Sequence, residues 1–138
     1  MAEVGAVLVH GLWHDAWAWD AVRARLEAVG VPGAAVELPL TGLEDDVAAT
    51  IATLDRFGKP AVLVGHSYGG AVVTAAGGHP HVTQLLYLAA FQLAEGESVG
   101  RTLPDLDIPP TGLGEALRFS ADGQQVSVDP ALATGLFY

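Results

Sequence analysis

The stretch VLVGHSYGG, Val62 to Gly70, sets one serine between two glycines at the end of an apolar run. Ala61 to Gly65, AVLVG, has the β-branched texture of a strand covered on both faces, and YGGAVVTAAGG beyond Ser67 reads as a helix. A serine on so tight a strand-to-helix turn is pushed out of the sheet with its hydroxyl exposed. Gly65 and Gly69 remove the side chains that would collide there. The pattern is G-x-S-x-G, weak alone because five loosely specified positions recur by chance. A strand before it and a helix after it are the setting that a nucleophile elbow requires. The competing reading is a glycine-rich turn whose serine only caps the helix.

Outward from this turn the chain alternates. AVLVH (Ala6 to His10) reads as a first strand. A first helix follows in DAWAWDAVRARLEAVG, with Asp15 as N-cap, Trp19, Val22, Leu26 and Val29 near helical spacing, and Gly30 as its stop. AAVELP (Ala34 to Pro39) is a second strand. LEDDVAATIATLDRFG (Leu43 to Gly58) is a second helix, acidic in its first turn and carrying Arg56 in its last. QLLYLAA (Gln84 to Ala90) is a fourth strand. Such alternation implies right-handed crossovers and a doubly wound, parallel α/β sheet with helices on both faces. Its chemistry belongs on the loops at the carboxyl ends of the strands, where Ser67 lies.

Composition narrows the function classes. A chain of 138 residues, 51% hydrophobic, is long enough for one domain with a sizeable core. Sixteen acidic against six basic residues, a net charge of -10, argue against nucleic acid or an anionic membrane surface as partner. The absence of cysteine excludes disulfides and thiolate metal sites. The N-terminus lacks the basic and apolar regions of a secretory signal, so a cytoplasmic location is expected. Pro60 to Ala94 carries no Asp, Glu, Lys or Arg, but its glycines, Pro80 and histidines make it buried core rather than a membrane span. The alanine-rich, arginine-over-lysine composition suggests a bacterial source.

Three segments together carry a family resemblance. VLVHGLWHDAWAWD (Val7 to Asp20), VLVGHSYGGAVV and LLYLAAF (Leu85 to Phe91) resemble the α/β-hydrolases, especially the small branch of plant methylesterases, hydroxynitrile lyases and bacterial esterase relatives. The resemblance covers most of Val7 to Phe91. It implies that Ser67 is the nucleophile and that the backbone N–H groups of Leu12 and Tyr68 form an oxyanion hole. It also implies strands in the spatial order second, first, third, fourth, with the pocket between the first and third. No cofactor follows, because acyl transfer through serine needs neither metal nor nucleotide. The expected substrate is a small-molecule carboxylic ester.

Other polar and aromatic residues have plainer roles. His10, Trp13 and His14 are candidate pocket-lining residues, although a hydrogen-bonded structural imidazole suits His10 better than a base. Trp13, Trp17 and Trp19 are expected to pack the first helix on the sheet. His66 should point away from the attack site, and Asp45 and Asp46 should serve the second helix's N-terminus. His79 and His81 form the only close histidine pair. At ~1.5 Å per helical residue they lie ~15 Å from Ser67, and they read as a solvated turn rather than a metal site.

A serine nucleophile needs a histidine base held by an acid, and in this family both follow the nucleophile in the chain. No histidine occurs after His81, and Asp105, Asp107, Asp122 and Asp129 follow no clear parallel strand. The resemblance therefore reads the chain as the amino-terminal part of a hydrolase, one partial domain over 1–138. Residues 1–90 make the core and 91–138 the beginning of a cap. Asp122-Gly123 suggests a hairpin, and DPALATGLFY the opening of a helix. Alone, such a chain should be nearly inactive, and the free edge of its fourth strand should favour self-association. A hydroxynitrile lyase and a non-catalytic small-molecule-binding protein are the alternative functions.

Overall fold

A computed structural model describes residues 3–138. Contacts divide the chain into two compact units, Met1–Pro104 and Asp105–Tyr138. The first contains strands β1 (Gly5–Val9), β2 (Gly33–Val36), β3 (Ala61–Ser67) and β4 (Val82–Ala90). Its α-helices are α1 (Asp20–Ala28), α2 (Leu43–Phe57), α3 (Gly69–Ala76) and the short α4 (Val99–Thr102). The strands form one parallel sheet in the order β2-β1-β3-β4, the order that the resemblance implied.

Strand alternation sorts the side chains onto two faces. Val7, Val9 and Leu63 join Leu54 of α2 and Val72, Val73 and Ala76 of α3 in one core. Ala6, Leu8 and Val64 meet Trp19 on the other, with Leu26 of α1 packed against them. Leu54 and Leu63 are wholly buried, each such burial contributing roughly 1.5–3 kcal/mol. The register pairs Val9 with Gly65 and Gly65 with Tyr87, which brings the carboxyl ends of β1, β3 and β4 to one edge.

The first helix departs from its expected form. Asp15 caps a 3-10 turn, Ala16–Trp19, and the α-helix begins only at Asp20. Three apolar spacings therefore belong to two different helical pitches. Trp19 is buried, but Trp17 is 51% exposed and does not pack on the sheet, while Val22 and Val29 face outward. The stop at Gly30 is as expected, and Gly58 caps α2 after Phe57, both glycines taking left-handed φ angles of 78° and 65°.

In the second unit, α5 (Leu113–Ala116) leads into an antiparallel hairpin of β5 (Leu117–Phe119) and β6 (Val126–Val128). Gly123 supplies a φ of 68° in its turn, at the Asp-Gly pair. The Asp129 carboxylate accepts from Ala131 N–H and caps α6 (Pro130–Phe137), with Arg118 2.7 Å away. Among the described residues, no helix is long and apolar enough to cross a membrane.

Candidate functional site

Among the described residues, four other than glycine adopt positive φ: Trp13 (62°), Leu40 (56°), Ser67 (54°) and Ala89 (42°). One lies at or just beyond the carboxyl end of each parallel strand. Left-handed backbone costs a residue with a Cβ roughly 1–2 kcal/mol, and such strain persists where the surroundings over-determine it. The strain marks the sheet edge to which topology assigns the chemistry.

At Ser67 the chain turns from β3 straight into helix. Tyr68 already has helical angles (φ -52°, ψ -32°), and α3 begins at Gly69. Space at this turn is too small for side chains. A methyl group on Gly65 would lie 2.5 Å from the Gly69 carbonyl oxygen, and one on Gly69 would lie 2.6 Å from that of Val9. One on Gly70 would run into the Phe91 carbonyl, whose residue also donates its N–H to the Ser67 carbonyl at 3.1 Å. The loop after β1 closes on the same point. A methyl on Gly11 would stand 2.9 Å from the Ser67 Cβ and 3.4 Å from its Oγ.

His10 is buried, and both its ring nitrogens are engaged by backbone. Nε2 accepts from the Leu38 N–H at 3.1 Å, so Nδ1 carries the proton and donates to the Gly11 carbonyl at 2.8 Å. His10 is thus the hydrogen-bonded structural imidazole that suited it better than a base, with neither nitrogen left for a ligand. The Gly11 carbonyl and the Leu12 N–H are two ends of one planar peptide, so this bond also sets where the Leu12 N–H points. His14 Nδ1 donates to the Leu12 carbonyl at 3.1 Å, and its ring lies 5.6 Å from that of Trp17. Trp13, half-buried, occupies the strained position between them in sequence.

His66 meets Trp19 edge-on, ring centroids 6.5 Å apart, on the face of the sheet that carries Val64. Burial, with the His14 imidazole adding to it, holds the His66 ring below the ordinary histidine value. At the opposite end of the sheet, His79 Nε2 reaches Asp55 at 3.1 Å and His81 Nδ1 reaches the Leu54 carbonyl at 3.1 Å. The His81 carbonyl accepts from Ala61 N–H at the start of β3. Among the described residues, no group of three or more His, Asp or Glu could hold a metal ion.

Sequence reasoning missed Asp46. Asp45 keeps the expected place at the start of α2, exposed and accepting from Thr41 Oγ1 at 2.6 Å. Asp46, in contrast, is 1% exposed. Its Oδ1 accepts from the Leu40 N–H at 2.8 Å and its Oδ2 from the Tyr68 hydroxyl at 2.6 Å. Burial first, then the Asp46 hydrogen bond and charge, push the Tyr68 phenol above its ordinary range. A run of three acids at a helix start looks uniformly solvated. Only helical phase, which turns the third acid inward, separates Asp46 from its neighbours.

The profile of the alpha/beta hydrolase family matches residues 6–137. Methylesterase 7 of Arabidopsis thaliana is 32% identical over 120 residues, which cover 75% of this chain and 42% of that protein. The alpha-hydroxynitrile lyase of the same plant is 31% identical over 124 residues, 79% of this chain and 48% of its own. Among solved structures, a pyrethroid hydrolase from Sphingobium faniae superimposes with a TM-score of 0.76 at 26% identity, covering 93% of this chain and 57% of the other. The chain thus spans less than half the length of these two curated relatives. The parallel sheet, its strand order and the profile match over nearly every residue agree that the chain belongs to the alpha/beta hydrolase family.

Proposed function

We propose that Ser67 is the nucleophile of a carboxylic ester hydrolase. The observation that carries this reading is the left-handed Ser67 on its strand-to-helix turn, abutted by the Gly11 loop. In the reaction, the Ser67 Oγ attacks the ester carbonyl as its proton passes to a base. Negative charge then develops on the former carbonyl oxygen. The N–H groups of Leu12 and Tyr68 stabilise that charge, and removing one such donor typically costs about 10²–10³ in turnover. The tetrahedral intermediate expels the alcohol, which recovers the proton, and water releases the acid in a second round.

In the chain order of this family the base and its acid follow the nucleophile, and no histidine follows His81; His10, before it, has both nitrogens committed. Turnover therefore belongs to a protein in which further residues supply a histidine and its acid. For this chain alone, about 10³–10⁴ over water is the expected ceiling, by analogy with a triad stripped of its members. A lyase that cleaves cyanohydrins through the same serine is the second reading, favoured by the hydroxynitrile lyase among the relatives. A binding protein without turnover is the third.

Assays at native length with a short-chain model ester and with a cyanohydrin separate the readings. The hydrolase reading expects ester cleavage that Ser67→Ala abolishes. Serine-dependent cyanohydrin cleavage without esterase activity would move the assignment to the lyase. Ligand affinity that Ser67→Ala leaves unchanged, with no turnover of either compound, would leave only binding.

A further inference from the structure

We propose that Asp46 is a positioning residue for the elbow, holding Tyr68 and the loop between β2 and α2 as one unit around the oxyanion site. Among the described residues, Asp46 is the one carboxylate in the buried set, which otherwise holds His10, Thr50 and Thr53 among polar groups. Burying a carboxylate is costly unless hydrogen bonds satisfy it. A helix N-terminus needs no such burial: the adjacent Asp45 stands in the same first turn at the surface, accepting from the Thr41 hydroxyl. The two bonds that Asp46 accepts, from Leu40 and Tyr68, supply the compensation and reveal the use.

These bonds complete a path. From the Gly11 carbonyl it runs through the His10 ring to Leu38, along the backbone to Leu40, then through the Asp46 carboxylate to the Tyr68 hydroxyl. Its ends are the two residues that frame the proposed oxyanion donors: the peptide carrying the Leu12 N–H, and Tyr68 itself. The loop between β2 and α2 carries neither nucleophile nor donor, yet both sides of the site are tied to it. Leu40 is itself held at a φ of 56°.

A Ser67 at φ 54° relaxes unless its neighbours are fixed. The glycine contacts around the elbow only exclude alternatives, whereas the Asp46 bond is attractive and directional. A tyrosine has two main side-chain torsions, so anchoring its hydroxyl fixes the ring and, through it, the backbone of the residue after the nucleophile. The catalytic consequence rests on the acyl-transfer reading; the anchoring does not.

The test compares Tyr68→Phe, Asp46→Asn and the double variant with the parent at native length. The first readout is the rate of fluorophosphonate adduct formation per folded molecule. Each single change should slow it roughly tenfold or more. The double variant should be no slower than the worse single, because both break the same link. Thr53→Ala, a buried hydroxyl elsewhere on α2 that bonds the Ala49 carbonyl, should lower stability and leave the rate unchanged. Tyr68→Phe keeps the ring and its packing, which guards against an Asp46 variant that fails to fold. The second readout is hydrogen exchange at the Tyr68 and Gly69 amides, expected to quicken in both single variants whether or not Ser67 reacts. If the parent reacts and both variants react at its rate, the proposal is overturned. If the parent forms no adduct, the acyl-transfer reading fails; faster exchange in Tyr68→Phe then supports the anchor, and unchanged exchange overturns it.

Discussion

At Ser67 a hydroxyl-bearing residue holds a backbone conformation that glycine would adopt freely, at a cost of roughly 1–2 kcal/mol. Ser67→Gly should therefore be more stable than Ser67→Ala by about 1 kcal/mol, read as the shift in urea midpoint at constant slope. Equal midpoints would mean that the turn is not strained. His66, beside it, makes a second prediction through pH. Its folded value lies below the ordinary 6.5 because burial, then the His14 charge, disfavours the imidazolium. The unfolded chain thus binds the proton more readily, and the stability contribution is intact above about pH 6.5 and lost as pH falls below it. His66→Gln should flatten the stability profile between pH 7 and the acid side, measured by urea unfolding against the parent. A profile as steep as the parent's would assign the acid sensitivity to other groups.

The elbow as an element depends on backbone meeting backbone. Gly69→Ala would set a methyl 2.6 Å from the Val9 carbonyl and 2.8 Å from that of His10, neither of which can swing aside. A loss of about 3 kcal/mol is expected, whereas Gly78→Ala, with open space around it, should stay within about 0.5 kcal/mol of the parent. Comparable losses from both would deny the close approach. The glycine spacing and the apolar run before it made this turn legible in sequence, whereas the strand order followed only from the family resemblance. Local patterning served less well where two geometries share one spacing. Trp19, Val22, Leu26 and Val29 stand near helical spacing, but Trp19 closes a 3-10 turn before the α-helix begins at Asp20, and Trp17, two residues before it, lies outside. Asp46 was hidden for a different reason: its partners, Leu40 and Tyr68, are 6 and 22 residues away and nothing in its own neighbourhood announces them.

For the molecule as a whole, β4 is the last strand of the sheet among the described residues. Its register sets Leu86 beside Val64 and Leu88 beside His66, on the face carrying Trp19, yet Leu86 is 45% and Leu88 48% exposed. An unpaired strand with leucines open to solvent is a template for another chain. Self-association is expected to grow with concentration in sedimentation experiments on the 138-residue chain, and Leu86→Lys with Leu88→Lys should suppress it. A monomer throughout would show that the edge is protected. The central claim is the identity of the nucleophile, and intact-mass spectrometry after exposure to a fluorophosphonate tests it most directly, on protein taken at its native length. One adduct is expected, mapping to Ser67 and lost in Ser67→Ala. No adduct, or one on Ser98, Ser120 or Ser127, would contradict it.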